Sequence, residues 1–269
     1  NIADMNSHGF EVAINATPLI IDGFRWNINL NYSYHKNTIK NLITNDWVSK
    51  AVSSYGVPVE NGPVRGIYSS RFAGLDNQGV PLFYNRNNEK VRYLNVTDAG
   101  MQHTFSYKGI TLSALFTGQF GHKKRVMQNF SYQYNDSQAL TSHLKNRWRV
   151  AGDENVTNIP AIQDADMMNK NNATDIRTAY QLYGMSDLWL ANASFIRLKN
   201  LSINYSLPQK WLKATKLNNI NIGLQATNLA LLWLADREKL GGEDPEFSWS
   251  GGTSMPISRQ YTMTFSIGF

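Results

Sequence analysis

From Phe24 to His35 two sets of side chains alternate without a break. Phe24, Trp26, Ile28, Leu30, Tyr32 and Tyr34 fall on one side; Arg25, Asn27, Asn29, Asn31, Ser33 and His35 fall on the other. A period of two is the signature of a strand with one apolar and one polar face. Twelve residues in a strand rise about 40 Å, and a tilt near 45° projects that to about 28 Å, close to the thickness of bilayer hydrocarbon. Four of the six polar partners are Asn or Ser and two are basic, which suits a wet or protein-filled lumen better than a dry core. Aromatic residues stand near both ends of the run, where interfacial girdles are expected.

The same alternation closes the sequence. In residues 257–269, Tyr261, Met263, Phe265, Ile267 and Phe269 share one face, and Thr262, Thr264, Ser266 and Gly268 share the other. A terminal strand ending in Phe resembles the signal by which outer-membrane barrels are recognised for insertion. These five residues are the candidate insertion signal.

Further strands are expected on the same grounds. Phe10, Val12 and Ile14 begin one, followed by a connection over 16–23 that contains Pro18 and the turn dipeptide Asp22-Gly23. Met101, His103, Phe105 and Tyr107 make another, which turns through Lys108-Gly109 and returns as Ile110, Leu112, Ala114, Phe116 and Gly118 to Phe120. Over 194–207 the apolar phase slips: Ile196 and Leu198 stand in one register, Leu201, Ile203, Tyr205 and Leu207 in the other. One extra residue near Lys199-Asn200, a β-bulge, restores a common face. Ile220, Ile222, Leu224 and Ala226 form the next strand. A helical turn is expected around Trp211-Leu212 and a short helix within 164–183.

The intervening segments are short, long, short, long, short, long. Barrels with tight periplasmic turns and large external loops have this asymmetry. It is independent of the face alternation and agrees with it. About seven strands are visible, too few and of the wrong parity to close alone. The fold class expected is therefore all-β: the C-terminal portion of a large antiparallel transmembrane barrel of about 22 strands with a plugged lumen and long extracellular loops. Residues 1–269 are expected to be one domain, with plug and N-terminal strands lying upstream. A secreted β-sandwich binding module or adhesin is the alternative, with its apolar faces packed sheet on sheet.

Composition excludes several classes. No cysteine is present, so neither disulfides nor thiolate metal sites are available. No apolar run reaches the length of a membrane-crossing helix. The net charge of +6 is scattered rather than gathered in a stripe, so nucleic acid is not an expected partner. His8, His35, His103, His122 and His143 lack ligand spacing and read as polar-face or loop residues. Asp76-Asn77-Gln78-Gly79 reads as a turn rather than a calcium loop. No nucleophile elbow, phosphate loop or dinucleotide fingerprint occurs. No catalytic residue, cofactor or metal is expected. Candidate ligand or partner contacts are the loop aromatics Trp47, Tyr55, Tyr68, Phe72, Trp233 and Trp249, whose rings can stack on sugars or pack on peptide side chains.

Several motifs resemble the SusC/RagA family of TonB-linked outer-membrane transporters. They are Asn6-Ser7-His8-Gly9-Phe10-Glu11 with Ala16-Thr17-Pro18; Arg71-Phe72-Ala73-Gly74-Leu75-Asp76 with Gly79 and Pro81; and Asn146-Arg147-Trp148. Ser194-Phe195-Ile196-Arg197-Leu198-Lys199-Asn200-Leu201 with Tyr205-Ser206-Leu207-Pro208 is another. Ala226-Thr227-Asn228-Leu229 and Asp244-Pro245-Glu246 complete the set. Glu243 stands where the family carries an aromatic residue. The resemblance implies outer-membrane location, import of oligosaccharides or peptides, a SusD-like surface lipoprotein as partner, and TonB coupling through the plug.

Overall fold

The computed structural model describes residues 3–43, 60–64, 66–67, 69–84, 96–126, 133–134, 142–164, 173–246 and 257–269. Eleven strands occur among them. They are β1 (Asp4–Ile21), β2 (Phe24–Lys40), β3 (Phe72–Leu75), β4 (Pro81–Phe83), β5 (Val96–Tyr107), β6 (Ile110–Phe120), β7 (Lys123–Arg125), β8 (Leu190–Asn192), β9 (Phe195–Ser206), β10 (Asn219–Leu234) and β11 (Gln260–Gly268). Two α-helices, α1 (Ala173–Gly184) and α2 (Gln209–Leu212), are joined by short 3-10 turns at Ser142–Asn146, Asp153–Asn155 and Asp187–Trp189.

Seven strands form one sheet in the order β1-β2-β5-β6-β9-β10-β11, an up-and-down antiparallel meander left open at both edges. Its chain forms one compact unit, residues 7–37, 95–123 and 192–269; residues 1–6, 38–94 and 124–191 form a second.

In the sheet unit the ladder registers align side chains in rows. One row runs Trp26, Phe105, Leu112, Ile203, Leu224, Met263; the next runs Phe24, Tyr107, Ile110, Tyr205, Ile222, Phe265. On the opposite face, the row Arg25, Ser106, Thr111, Asn204, Gly223, Thr264 runs between them, and Asn27, Thr104, Ser113, Ser202, Gln225, Thr262 runs beside the first. The expected alternation therefore holds across six strands of the sheet, β2 to β11, and not only along single strands. Its apolar face is bare: Tyr261 is 71% exposed, Met263 70% and Phe265 58%. Among the described residues of this unit no second layer covers that face, which removes the sandwich alternative.

The phase slip in β9 is a bulge, as expected. Asn200 faces Leu115 and Leu198 faces Phe116, so Lys199 is the extra residue. Two of the short connections are two-residue turns, Asp22-Gly23 (φ 47° and 81°) and Lys108-Gly109 (φ 45° and 86°). Positive φ at both central positions is the hairpin turn whose twist matches paired strands.

Three expectations are corrected. β1 runs on to Ile21, so Pro18 lies inside a strand and only Asp22-Gly23 is a connection. Pro lacks the ladder donor, and β1, an outer strand of this sheet, can accommodate it. β2 continues to Lys40 and β10 to Leu234, beyond where the apolar pattern stops being regular. His103 is not on the polar face. It sits in the apolar row with Ile28, stacked on Trp26 and Phe105, and Trp26 Nε1 donates to His103 Nδ1 at 3.3 Å.

The second unit has its own small core of Val80, Ile176 and Tyr180, with Ala179 packed against it. α1 realises the helix expected within 164–183. The Tyr180 hydroxyl donates to the Ala161 carbonyl and accepts from Gln163 Nε2 at 2.8 Å. The Tyr183 hydroxyl donates to the Asn158 carbonyl at 2.8 Å. Burial pushes both phenols well above the ordinary tyrosine range. Asp76 Oδ1 accepts from the backbone N–H of Gln78 and of Val80, both at 2.8 Å, so the 76–79 segment is a turn as expected. Gly79 (φ 74°) closes it, and a Cβ there would lie 2.6 Å from the Trp148 ring. Trp148 is anchored in turn by its Nε1 donating to Glu154 Oε2 at 2.9 Å.

Candidate functional site

In the sheet unit a cluster of paired charges stands out among the described residues. At the end from which the long connections leave, the polar face carries the row Asn31, Gly100, Thr117, Arg197. Arg197 is only 4% exposed. A buried guanidinium requires anionic partners, and the residues after β10 supply them. Arg197 Nη2 lies 2.6 Å from Asp244 Oδ1, and Arg197 Nε lies 2.6 Å from Glu246 Oε2. Lys199, the bulge residue, places its Nζ 3.0 Å from Glu246 Oε1. Two residues apart in β9, Arg197 and Lys199 both reach Glu246.

The acidic segment is shaped to meet the strand. Asp244 Oδ1 accepts from the Glu246 N–H at 3.0 Å, and Pro245 between them is fully buried. Upstream, the Asn192 N–H donates to Asp236 Oδ2 at 2.6 Å and the Ala235 N–H to the Ser194 carbonyl at 3.0 Å. Leu240 is buried as well. Residues 235–246 are thus a strap fastened to the start of β9 at one end and to Arg197 and Lys199 at the other. Two of the family-like motifs, over 194–201 and 244–246, are the two halves of this fastening.

Beside it a groove of about 730 Å³ opens on the polar face, lined by Glu11, Asn31, Ser33, Asp98, Gln119, Lys199 and Glu246 among others. Three carboxylates and one ammonium give it acidic character. The rest of the polar face is a field of hydroxyls and amides, with Thr104 and Ser113 in contact at 3.2 Å and Thr17 donating to Asn27 at 2.8 Å. The adjacent Asn200 Oδ1 and Thr227 Oγ1 have no hydrogen-bond partner among the described residues. Such a surface can bind and orient polar matter. Among the described residues no group of three His, Cys, Asp or Glu side chains could hold a metal ion.

The loop aromatics fare differently. Trp47, Tyr55, Tyr68 and Trp249 lie outside the described residues. Phe72 packs edge-on against Tyr183 at 5.6 Å and Phe83 at 6.2 Å, within the second unit. Trp233 is not in a loop: it belongs to β10, opposite Ile196 on the apolar face and 6.2 Å from the Phe120 ring. Periodicity alone could not reveal the Arg197–Asp244 pairing, because its partners are 47 residues apart.

No family model matches the chain. Comparison with curated proteins finds the TonB-dependent receptor SusC of Bacteroides thetaiotaomicron, 22% identical over the whole chain, and the TonB-dependent receptor P26 of Formosa agariphila, 24% identical over 93% of it. The chain spans about a quarter of these relatives, 26% and 27% of their lengths. Among solved structures, the RagAB peptide transporter superposes with a TM-score of 0.71 at 21% identity, covering all of this chain and 30% of that one. The RagAB peptide importer in its closed-closed state gives 0.71 at 22%. The chain is thus similar, weakly and consistently, to SusC-type TonB-dependent receptors. Its fold is an open antiparallel portion of a β-barrel, and its place is the bacterial outer membrane.

Proposed function

We propose that this chain forms part of the wall of a TonB-dependent importer that moves oligosaccharides or peptides across the outer membrane. The complete barrel has about 22 strands and encloses a plug. The long connections face the cell exterior and a SusD-like surface lipoprotein; TonB acts through the plug. No bond-making step is assigned to the chain: selection is by loops and lumen wall, and transport is a conformational event. Tyr261, Met263, Phe265, Ile267 and Phe269 serve as the insertion signal.

The observation that carries this reading is the single amphipathic sheet, bare on its apolar face and hydroxyl- and amide-rich on the other, in a chain whose whole length aligns with TonB-dependent receptors. Uptake provides the test. Cells lacking the full-length gene are expected to lose accumulation of a labelled oligosaccharide or peptide pool and to recover it on complementation. Purification of the tagged protein is expected to bring down a surface lipoprotein. Unchanged accumulation of both cargo classes in the deletion strain would refute the proposal.

A further inference from the structure

The short-connection end of the sheet carries a basic surface that the transport reading does not use. Residues 207–218, which join β9 to β10, hold Lys210, Lys213 and Lys216 and no acidic residue. Lys108, in the β5–β6 turn, adjoins this segment, since the Ser206 N–H donates to the Gly109 carbonyl at 2.8 Å. Asp22 is the one acidic side chain on the three short connections. All four lysines are exposed, and none makes an ion pair among the described residues.

The segment is built rather than slack. Gln209 Nε2 donates to the Asn218 carbonyl at 2.7 Å, the Thr215 hydroxyl to the Leu212 carbonyl at 2.8 Å, and the Asn218 N–H to the Gly268 carbonyl at 2.7 Å. Leu212 is buried, whereas its neighbour Trp211 is 58% exposed. An exposed indole held beside lysines is costly in water and favoured at a bilayer interface, where the ring meets apolar matter and its N–H meets headgroups. The height is right. The last aromatic-rich row of the apolar face, Phe24, Tyr107, Ile110, Tyr205, Ile222 and Phe265, lies at this end of the sheet, and the lysines stand just beyond it.

We propose that Lys108, Lys210, Lys213 and Lys216, with Trp211, form a docking site for anionic phospholipid headgroups of the leaflet that faces the short connections. The lysines meet lipid phosphates, and the indole lies at the level of the glycerol backbone. Lysine stems can lie along apolar surface while their ammonium groups reach the phosphates. Each ammonium within a screening length of an anionic surface favours occupancy several-fold, and salt weakens the effect. This rests on the outer-membrane barrel reading.

The test uses the full-length protein in bilayers of phosphatidylcholine and phosphatidylglycerol, with spin-labelled lipids reporting which headgroup is held at the protein surface. The wild type is expected to prefer phosphatidylglycerol about three- to ten-fold. The Lys210→Gln/Lys213→Gln/Lys216→Gln variant is expected to approach equal association, as is the wild type in 1 M salt, where the Debye length is only about 3 Å. Comparison of wild type with Trp211→Phe is expected to isolate an emission component quenched by lipids brominated near the headgroup end of the acyl chain. Equal headgroup preference in wild type and triple variant would overturn the proposal, as would Trp211 emission quenched by aqueous iodide and not by brominated lipid. A protein that stays soluble and never enters the bilayer would instead refute the barrel reading beneath it.

Discussion

Replacing Arg197 with Met tests whether the strap over 235–246 is held by charge. Met keeps much of the stem volume and removes the cation. Arg197 is 4% exposed and meets two carboxylates, each at 2.6 Å. Deleting one partner of a buried ion pair costs about 3–5 kcal/mol, because the remaining charge stays desolvated. Here the lower end applies, since Glu246 keeps Lys199 at 3.0 Å and its side chain is already 21% exposed. A loss of about 3 kcal/mol is a factor of about 150 in the undocking equilibrium. The strap is a local unit, so the loss is expected as local opening rather than unfolding. Amide hydrogen exchange of the reconstituted protein reads this at Glu243 and Glu246, whose N–H groups are bonded within the strap. Arg197→Met is expected to speed their exchange by about two orders of magnitude. Lys199→Met, at a site 34% exposed, is expected to change it by less than about five-fold. Equal, small effects of both variants would show that Pro245 and Leu240 hold the strap by packing and that the ion cluster is incidental.

Other outcomes follow from the same geometry. Gly79→Ala combines a positive φ with a Cβ set 2.6 Å from Trp148, and is expected to destabilise the second unit by about 2 kcal/mol in a denaturant titration followed at Trp148. Asp153 is held below the usual carboxylate range by the N–H groups of Arg149 and Val150, and Glu154 by the Trp148 indole N–H and backbone N–H groups including that of Gly152. A depressed carboxylate stabilises above its unfolded pKa and loses that contribution as pH falls through its folded value. The 149–154 turn is therefore expected to loosen below about pH 4, and Asp153→Asn to flatten that dependence, in amide exchange at Val150. Ile28→Arg on the apolar face is expected to cost about 2–4 kcal/mol in lipid, whereas Asn29→Arg on the polar face is expected to cost little, by equilibrium unfolding from vesicles.

Strands with a continuous two-residue period were legible from side chains alone: β2, the β5–β6 hairpin and the terminal strand. The bulge was legible too, because a slip of apolar phase between Leu198 and Leu201 has few physical remedies. Strand ends were not. β1 carries Pro18 and β10 reaches Trp233 through Asn228, a left-handed residue (φ 53°) within a region of shifted register. Ladder hydrogen bonds to neighbouring strands hold such residues extended where their own preferences would not. That is also why Trp233 read as a loop residue. The period of β5 put His103 in line with Met101, Phe105 and Tyr107, whereas residue type alone suggested a polar-face histidine; the contact that fits it to the apolar face comes from Trp26, 77 residues away. The candidate site was least legible. Arg197 and Lys199 looked like alternating strand residues and Asp244-Pro245-Glu246 like a loop; only the folded chain brings them together.

The central claim is that one face of this sheet meets hydrocarbon and the other an enclosed interior. Nitroxide labels placed singly at positions 222 to 226 of β10 in the full-length, reconstituted protein test it most directly. Labels at Ile222, Leu224 and Ala226 are expected to relax with membrane-dissolved oxygen and to be shielded from a water-soluble nickel chelate. Those at Gly223 and Gln225 are expected to show the reverse or to be occluded from both. A flat profile along the strand, or immobilised labels shielded from oxygen at 222, 224 and 226, would mean that protein covers the apolar face, and would contradict the account.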